Sequence, residues 1–155
     1  MTESVSWTDA KCAHYEFSLD INVSTQRLWR GITDQIGSWW LPHFHMLGES
    51  SIIELEKWAG GRLVERDQDK ELLWYTVIAL DHEKSLDLSG FCTAKFGGPA
   101  TTLLSLEIVP RSDQLSRLRV SDSLYGRVTA GFVDSLYKGW QELFSDGLKR
   151  YLESD

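Results

Sequence analysis

An aspartate that continues an apolar alternation is the residue of this chain best placed to do chemistry. From Leu115 to Asp122 the pattern is strand-like, and Leu118, Val120 and Asp122 fall on one side of it. A carboxylate in an inward row can orient a ligand's donor group, or act as a base if burial raises its pKa. The competing reading is a helix-capping or rim carboxylate, since acids are seldom buried. Tyr75, Tyr125 and Tyr137 are the phenols that would complete an acid–base set.

Other polar groups offer less. Arg62 and Glu65, beside the turn Gly60-Gly61, read as a salt-bridged surface pair that is worth little in water; anion binding by Arg62 is the alternative. His43 and His45 share one side of an extended segment, but a metal needs a third ligand and none stands at useful spacing. Neither a metal nor a cofactor is therefore expected. Thr101 and Thr102 read as ordinary strand residues, Glu107 as an outward one, and His14 and His82 as surface residues. The sequence shows no nucleophile elbow, phosphate-cradling glycine loop or paired His-Glu motif. That weakens an enzyme reading without removing it.

The elements that must position these residues are legible as patterns. His14 to Val23 alternates as a half-buried strand, and residues 1–13 read as a flexible arm that Trp7 could anchor. Ser24 caps a short helix carrying Leu28, Trp29 and Ile32, and Asp34 looks like the cap of a second, which Pro42 ends. Strands are expected over 49–58, 62–67, 72–80, 85–91, 101–109 and 115–122. Leu72, Trp74, Thr76, Ile78 and Leu80 are expected on one face. From Thr129 to Leu152, Phe132, Leu136, Tyr137, Trp140, Leu143, Phe144 and Leu148 recur at the spacing of a long helix. The result is one α+β domain over 14–155: a curved antiparallel sheet of six or seven strands, two short helices after the first strand, and a long terminal helix.

Bulk properties narrow the partners. A net charge of −7 argues against nucleic acid or an anionic membrane as the main partner, because both need a basic face. The N-terminus lacks the basic and apolar segments of a signal peptide, and Cys12 and Cys92 form no paired spacing. A reducing cytoplasm is the default. Seven Trp spread over the predicted elements suggest an aromatic-lined cavity or a Trp-rich core.

Particular stretches make the chain resemble a known family. They are Phe17–Val23 leading into Leu28–Thr33, Ser38-Trp39-Trp40-Leu41-Pro42, Gly60-Gly61-Arg62 with Glu65, Trp74–Val77, Leu86–Gly90, Gly139–Leu143 and Leu148–Glu153. Together they resemble the START-like (SRPBCC) superfamily, whose helix-grip fold is shared with the birch pollen allergen. Within it, the chain looks most like the branch named for the activator of the heat-shock-protein-ninety ATPase. A proline common before the strand near Leu86 is missing from Asp81–Ser85. The resemblance implies a cavity between the concave sheet and the long helix, in a superfamily of lipid carriers, cyclases and stress co-factors.

With alternation, that cavity would be lined by Trp74, Thr76, Ile78, Leu104, Leu106, Val120 and Asp122, with Phe132, Leu136 and Trp140 from the helix and Trp40 and Phe44 at the entrance. The leading expectation is a small-molecule binding protein for a hydrophobic organic ligand. A cyclase, dehydratase or hydrolase using the same cavity is the second. A stress- or chaperone-associated interaction protein is the third; an exposed apolar patch at Tyr75 and Val77 would favour it, or indicate a homodimer.

Overall fold

The computed structural model describes residues 4–154. Residues 1–3 of the expected arm and Asp155 lie outside the described residues. Residues 4–10 have no regular structure, and Trp7, 90% exposed, anchors nothing.

Strand β1 (Lys11–Ile21) begins three residues before its expected start, within the expected arm. Helix α1 (Thr25–Ile32) follows, capped by Ser24, whose Oγ accepts from the Arg27 N–H at 3.1 Å. Helix α2 (Ile36–Trp39) is not capped by Asp34, which is drawn instead into an ion pair with Lys57 at 2.7 Å. Pro42 opens a tight turn of helix, Pro42–Phe44, rather than closing the one before. The sheet continues through β2 (Ile52–Leu55), β3 (Arg62–Asp67), β4 (Lys70–Asp81), β5 (Ser85–Cys92), β6 (Ala100–Ser112) and β7 (Leu115–Gly126). Its spatial order is β1-β7-β6-β5-β4-β3-β2, and every pairing is antiparallel. The crossover through α1 and α2 thus carries the chain from one edge to the other.

The terminal rod is continuous over Ala130–Glu153: α3 (Ala130–Glu142), a wider π-helical stretch (Leu143–Lys149) and α4 (Arg150–Glu153). Its two halves sit differently. Trp140, Leu143, Phe144, Leu148 and Leu152 are buried, whereas Phe132, Val133, Leu136 and Tyr137 are only half-buried. The C-terminal half can pack closely because Gly147 faces α2: a Cβ there would stand 2.6 Å from the Trp39 carbonyl oxygen. Glu153 and Lys149 tie the same half to the end of β1, through the Asn22 N–H at 2.8 Å and the Asp20 carbonyl at 2.7 Å.

The strongest departure from simple alternation is in β4. Leu63 pairs with Tyr75 and Val64 with Leu73, so Trp74 is an extra residue. Val77 pairs with Leu88 and Ala79 with Asp87, so Ile78 is another. Each bulge moves the following residues to the other face. Trp74 and Leu80 pack against the core as expected and Leu72 lines the cleft, but between the bulges it is Tyr75 and Val77 that are buried. Thr76 points away and Ile78 is 51% exposed. Tyr75 and Val77 therefore form no exposed patch of the kind that would favour an interaction protein.

Candidate functional site

The space between sheet and rod is filled at depth and open at one end. Leu104 and Leu106, with Trp40, Trp140 and Phe144, surround a residual void of only about 20 Å³, too small for an organic guest. Val120 is fully buried in the same core. The expected cavity is therefore absent where these three residues lie, because indole and phenyl rings occupy it. Where the N-terminal half of α3 stands away from the sheet, a cleft of about 350 Å³ opens instead. Trp40, Phe44, Trp74, Phe132, Leu136 and Trp140 line it, with Tyr75, Cys92 and Thr102 on the sheet side; Thr76 and Ile78 do not.

The strand β7 carries Asp122 inward without interruption, in the buried series Ser116, Leu118, Val120, Asp122, Leu124. Asp122 is wholly buried, which removes the rim and helix-cap readings. Tyr15 lies opposite it on β1, and its hydroxyl donates to Oδ2 at 2.5 Å; the Thr102 hydroxyl on β6 donates to Oδ1 at 2.5 Å. Tyr75 Oη stands 3.4 Å from Thr102 Oγ1. Gly90, on β5, leaves room for that ring, since a Cβ would meet Tyr75 carbons at 2.9 Å. Two of these groups escaped the sequence reading. Thr102 looked like ordinary strand, and Tyr15 required knowing that the first strand pairs with the last. Of the expected phenols, Tyr137 packs on Tyr15 at 5.1 Å between ring centres, and Tyr125 is exposed.

Burial pushes the Asp122 carboxyl above its ordinary value, against the opposing effect of the Thr102 and Tyr15 hydrogen bonds. The Trp140 indole also favours the charged form, although its N–H makes no hydrogen bond of good geometry. Burial and then the Asp122 charge push both Tyr15 and Tyr75 upward, so both remain neutral phenols. Cys92, half-buried, is raised by the same two causes.

Between the ordinary carboxyl value of 3.8 and its raised folded value, the native state binds more protons at Asp122 than the unfolded chain does. Its contribution to stability is present at low pH and declines as pH rises through that window. Replacing Asp122 with Asn should remove the decline, so the variant gains on the parent as pH increases from about 4 towards 7. Urea midpoints across that range check it; a difference independent of pH contradicts it.

Glu65 is the second buried carboxylate, and it is not the surface partner of Arg62. It accepts from the Met46 N–H at 3.1 Å, the Leu47 N–H at 2.8 Å, Ser51 Oγ at 2.6 Å and Trp74 Nε1 at 2.9 Å. Arg62 pairs with Glu56 at 3.0 Å. Burial alone would raise the Glu65 carboxyl; the donors, Ser51 first, outweigh it and hold it below the ordinary range. His43 and His45 diverge, to Glu142 at 2.9 Å and Ser51 at 2.6 Å.

Solved structures with the same arrangement decide the fold. A protein from Rhizobium loti superposes with a TM-score of 0.70 at 14% identity, over 90% of this chain and 96% of its own. A norcoclaurine synthase point mutant from Thalictrum, in complex with a transition-state analogue, gives 0.61 at 13%, over 94% and 97%. The Aha1 dimer from Colwellia psychrerythraea gives 0.63 at 16%, over 91% and 96%. This chain has the helix-grip fold. Neither a family model nor a curated protein sequence matches it. Among the described residues, no helix is long and apolar enough to cross a membrane.

Proposed function

We propose that this helix-grip protein binds a small, largely apolar organic molecule in the cleft beneath the N-terminal half of α3. The observation that carries the reading is the half-buried start of the rod, which leaves about 350 Å³ walled by Trp40, Phe44, Trp74, Phe132, Leu136 and Trp140. That volume falls in the lower part of the ~300–1,000 Å³ usual for small-molecule sites. Burying ligand surface supplies affinity at roughly 25 cal/mol per Å² before ordering costs. Thr102 and Tyr75 supply the polar contacts that orient the guest. A panel of lipids, aromatics and polyketide-like compounds, read by Trp fluorescence and thermal shift, tests the proposal. Binders should raise the melting temperature and change the emission of Trp40, Trp74 or Trp140; no response to any compound would sink it.

One observation favours a second reading, an enzyme of the cyclase, dehydratase or hydrolase kind. Asp122 accepts from the Tyr15 hydroxyl directly and is linked towards Tyr75 through Thr102, at the sheet side of the cleft. A carboxylate linked by hydroxyls to the cleft wall can pass a proton to or from a guest. The similarity in fold to a synthase that holds a transition-state analogue fits this reading. A homodimer is a further proposal, through outward residues such as Leu103 and Tyr125, both exposed. Sedimentation equilibrium over a concentration series checks it.

A further inference from the structure

Aromatic rings make up much of the cleft wall: Trp40, Trp74, Tyr75 and Trp140 stand together there. Trp40 stands at 67° to Trp74, with ring centres 5.2 Å apart, and at 83° to Trp140, with centres 6.3 Å apart. Tyr75 closes on Trp140 at 6.1 Å. Edge-to-face and tilted contacts of this kind turn the four rings in different directions around one end of the cleft. Among the described residues, no charged side chain lines the cleft. Behind its walls lie two buried carboxylates, each one hydrogen bond away: Asp122 through Thr102, and Glu65 through the Trp74 indole N–H. An indole that donates to a carboxylate gains electron density on its ring face, the face that attracts a cation. Burial first, and the neighbouring Asp122 carboxyl second, hold Tyr15, Tyr75 and Cys92 in their neutral forms. At the rim, the Lys95 ammonium rests over the Phe96 ring at 5.6 Å, which leaves Trp40, Trp74, Tyr75 and Trp140 as aromatic groups away from a fixed positive charge.

We infer that the ligand of this cleft is an organic cation, a substituted amine or quaternary ammonium on an apolar body, with its positive centre among Trp40, Trp74, Tyr75 and Trp140. The inference rests on the apolar-ligand reading above and deepens it. A neutral hydrocarbon gains only burial there. An anion meets two buried carboxyl groups behind the walls, and among the described lining residues no basic side chain; Lys95 stands only at the rim. A soft, weakly hydrated cation gains burial, the π faces and the field of both carboxylates.

The test compares benzyltrimethylammonium with neopentylbenzene, its uncharged isostere, by titration followed with Trp fluorescence. The cation should bind about tenfold tighter, the ratio expected for a partly desolvated cation–π site. Leu136→Lys then places a positive charge in the half-buried wall, and Leu136→Gln provides a neutral polar control; melting curves confirm that both variants fold. Leu136→Lys should erase the preference for the cation, whereas Leu136→Gln should weaken both probes alike. Equal or tighter binding of neopentylbenzene to the parent protein overturns the cation inference and leaves the apolar-ligand reading standing. Binding of neither probe, together with silence across the wider hydrophobic panel, removes both.

Discussion

Glu65→Ala should destabilise the protein by about 3–5 kcal/mol, the cost of leaving buried donors without their charged acceptor. Four donors converge on this side chain: two backbone N–H groups of the segment after Pro42–Phe44, the Ser51 hydroxyl and the Trp74 indole. Partial hydration of the segment around Met46, which is itself 47% exposed, keeps the cost below the sum of four bonds. Glu65→Gln preserves the shape and part of the accepting capacity, so it should cost roughly half as much. The acid response runs opposite to that of Asp122. Because the folded carboxyl lies below its ordinary value, its stabilisation is complete above the unfolded pKa and is lost as pH falls through the folded one. Denaturant unfolding checks both points. A loss under about 1 kcal/mol for Glu65→Ala would mean that water satisfies these donors as well as the carboxylate does.

Phe144→Ala should cost about 3–5 kcal/mol and open a dry chamber in the filled part of the core. Phe144 stacks on Trp140 at 5.7 Å, meets Trp39 at 5.8 Å and reaches Phe17 at 6.4 Å, so three elements lean on one ring. The surroundings are aromatic and held from several sides, and they can collapse only partly into the space. The chamber would adjoin the present void between Leu104 and Leu106. A cavity lined by such groups stays empty of water and accepts benzene or xenon. Chemical denaturation measures the loss, and a rise in melting temperature with benzene larger than that of the parent protein reports the chamber. An unchanged denaturation midpoint would show that the interior is loosely packed after all.

Patterning revealed the frame and missed the places where the frame bends. β7 keeps a strict period of two from Ser116 to Leu124, so the inward position of Asp122 could be read directly. β4 begins and ends on the expected face but inverts between Trp74 and Ile78, and nothing in the residue types there announces two insertions. Bulges are set by how neighbouring strands match, which is a property of pairs. The partners of Asp122 were hidden for a related reason: Tyr15 reaches it from the far end of the chain. Glu65 was misjudged because proximity in sequence favoured Arg62, while its actual donors lie on a segment whose course no periodicity describes. The long helix was found by its stripe, yet the stripe continues unchanged across the half that grips and the half that stands off. Only the relative placement of helix and sheet separates a packed interior from an open cleft.

The pairing of β1 with β7 also bears on how the chain matures. β1 is made first, and its apolar row, Tyr15, Phe17, Leu19 and Ile21, pairs along its whole length with a strand that ends at Gly126. During synthesis that row has no native neighbour in the sheet until most of the polypeptide has emerged, and contacts this distant in sequence form slowly. The nascent N-terminal strand is therefore the segment most in need of chaperone cover, and the last ladder to zip closed.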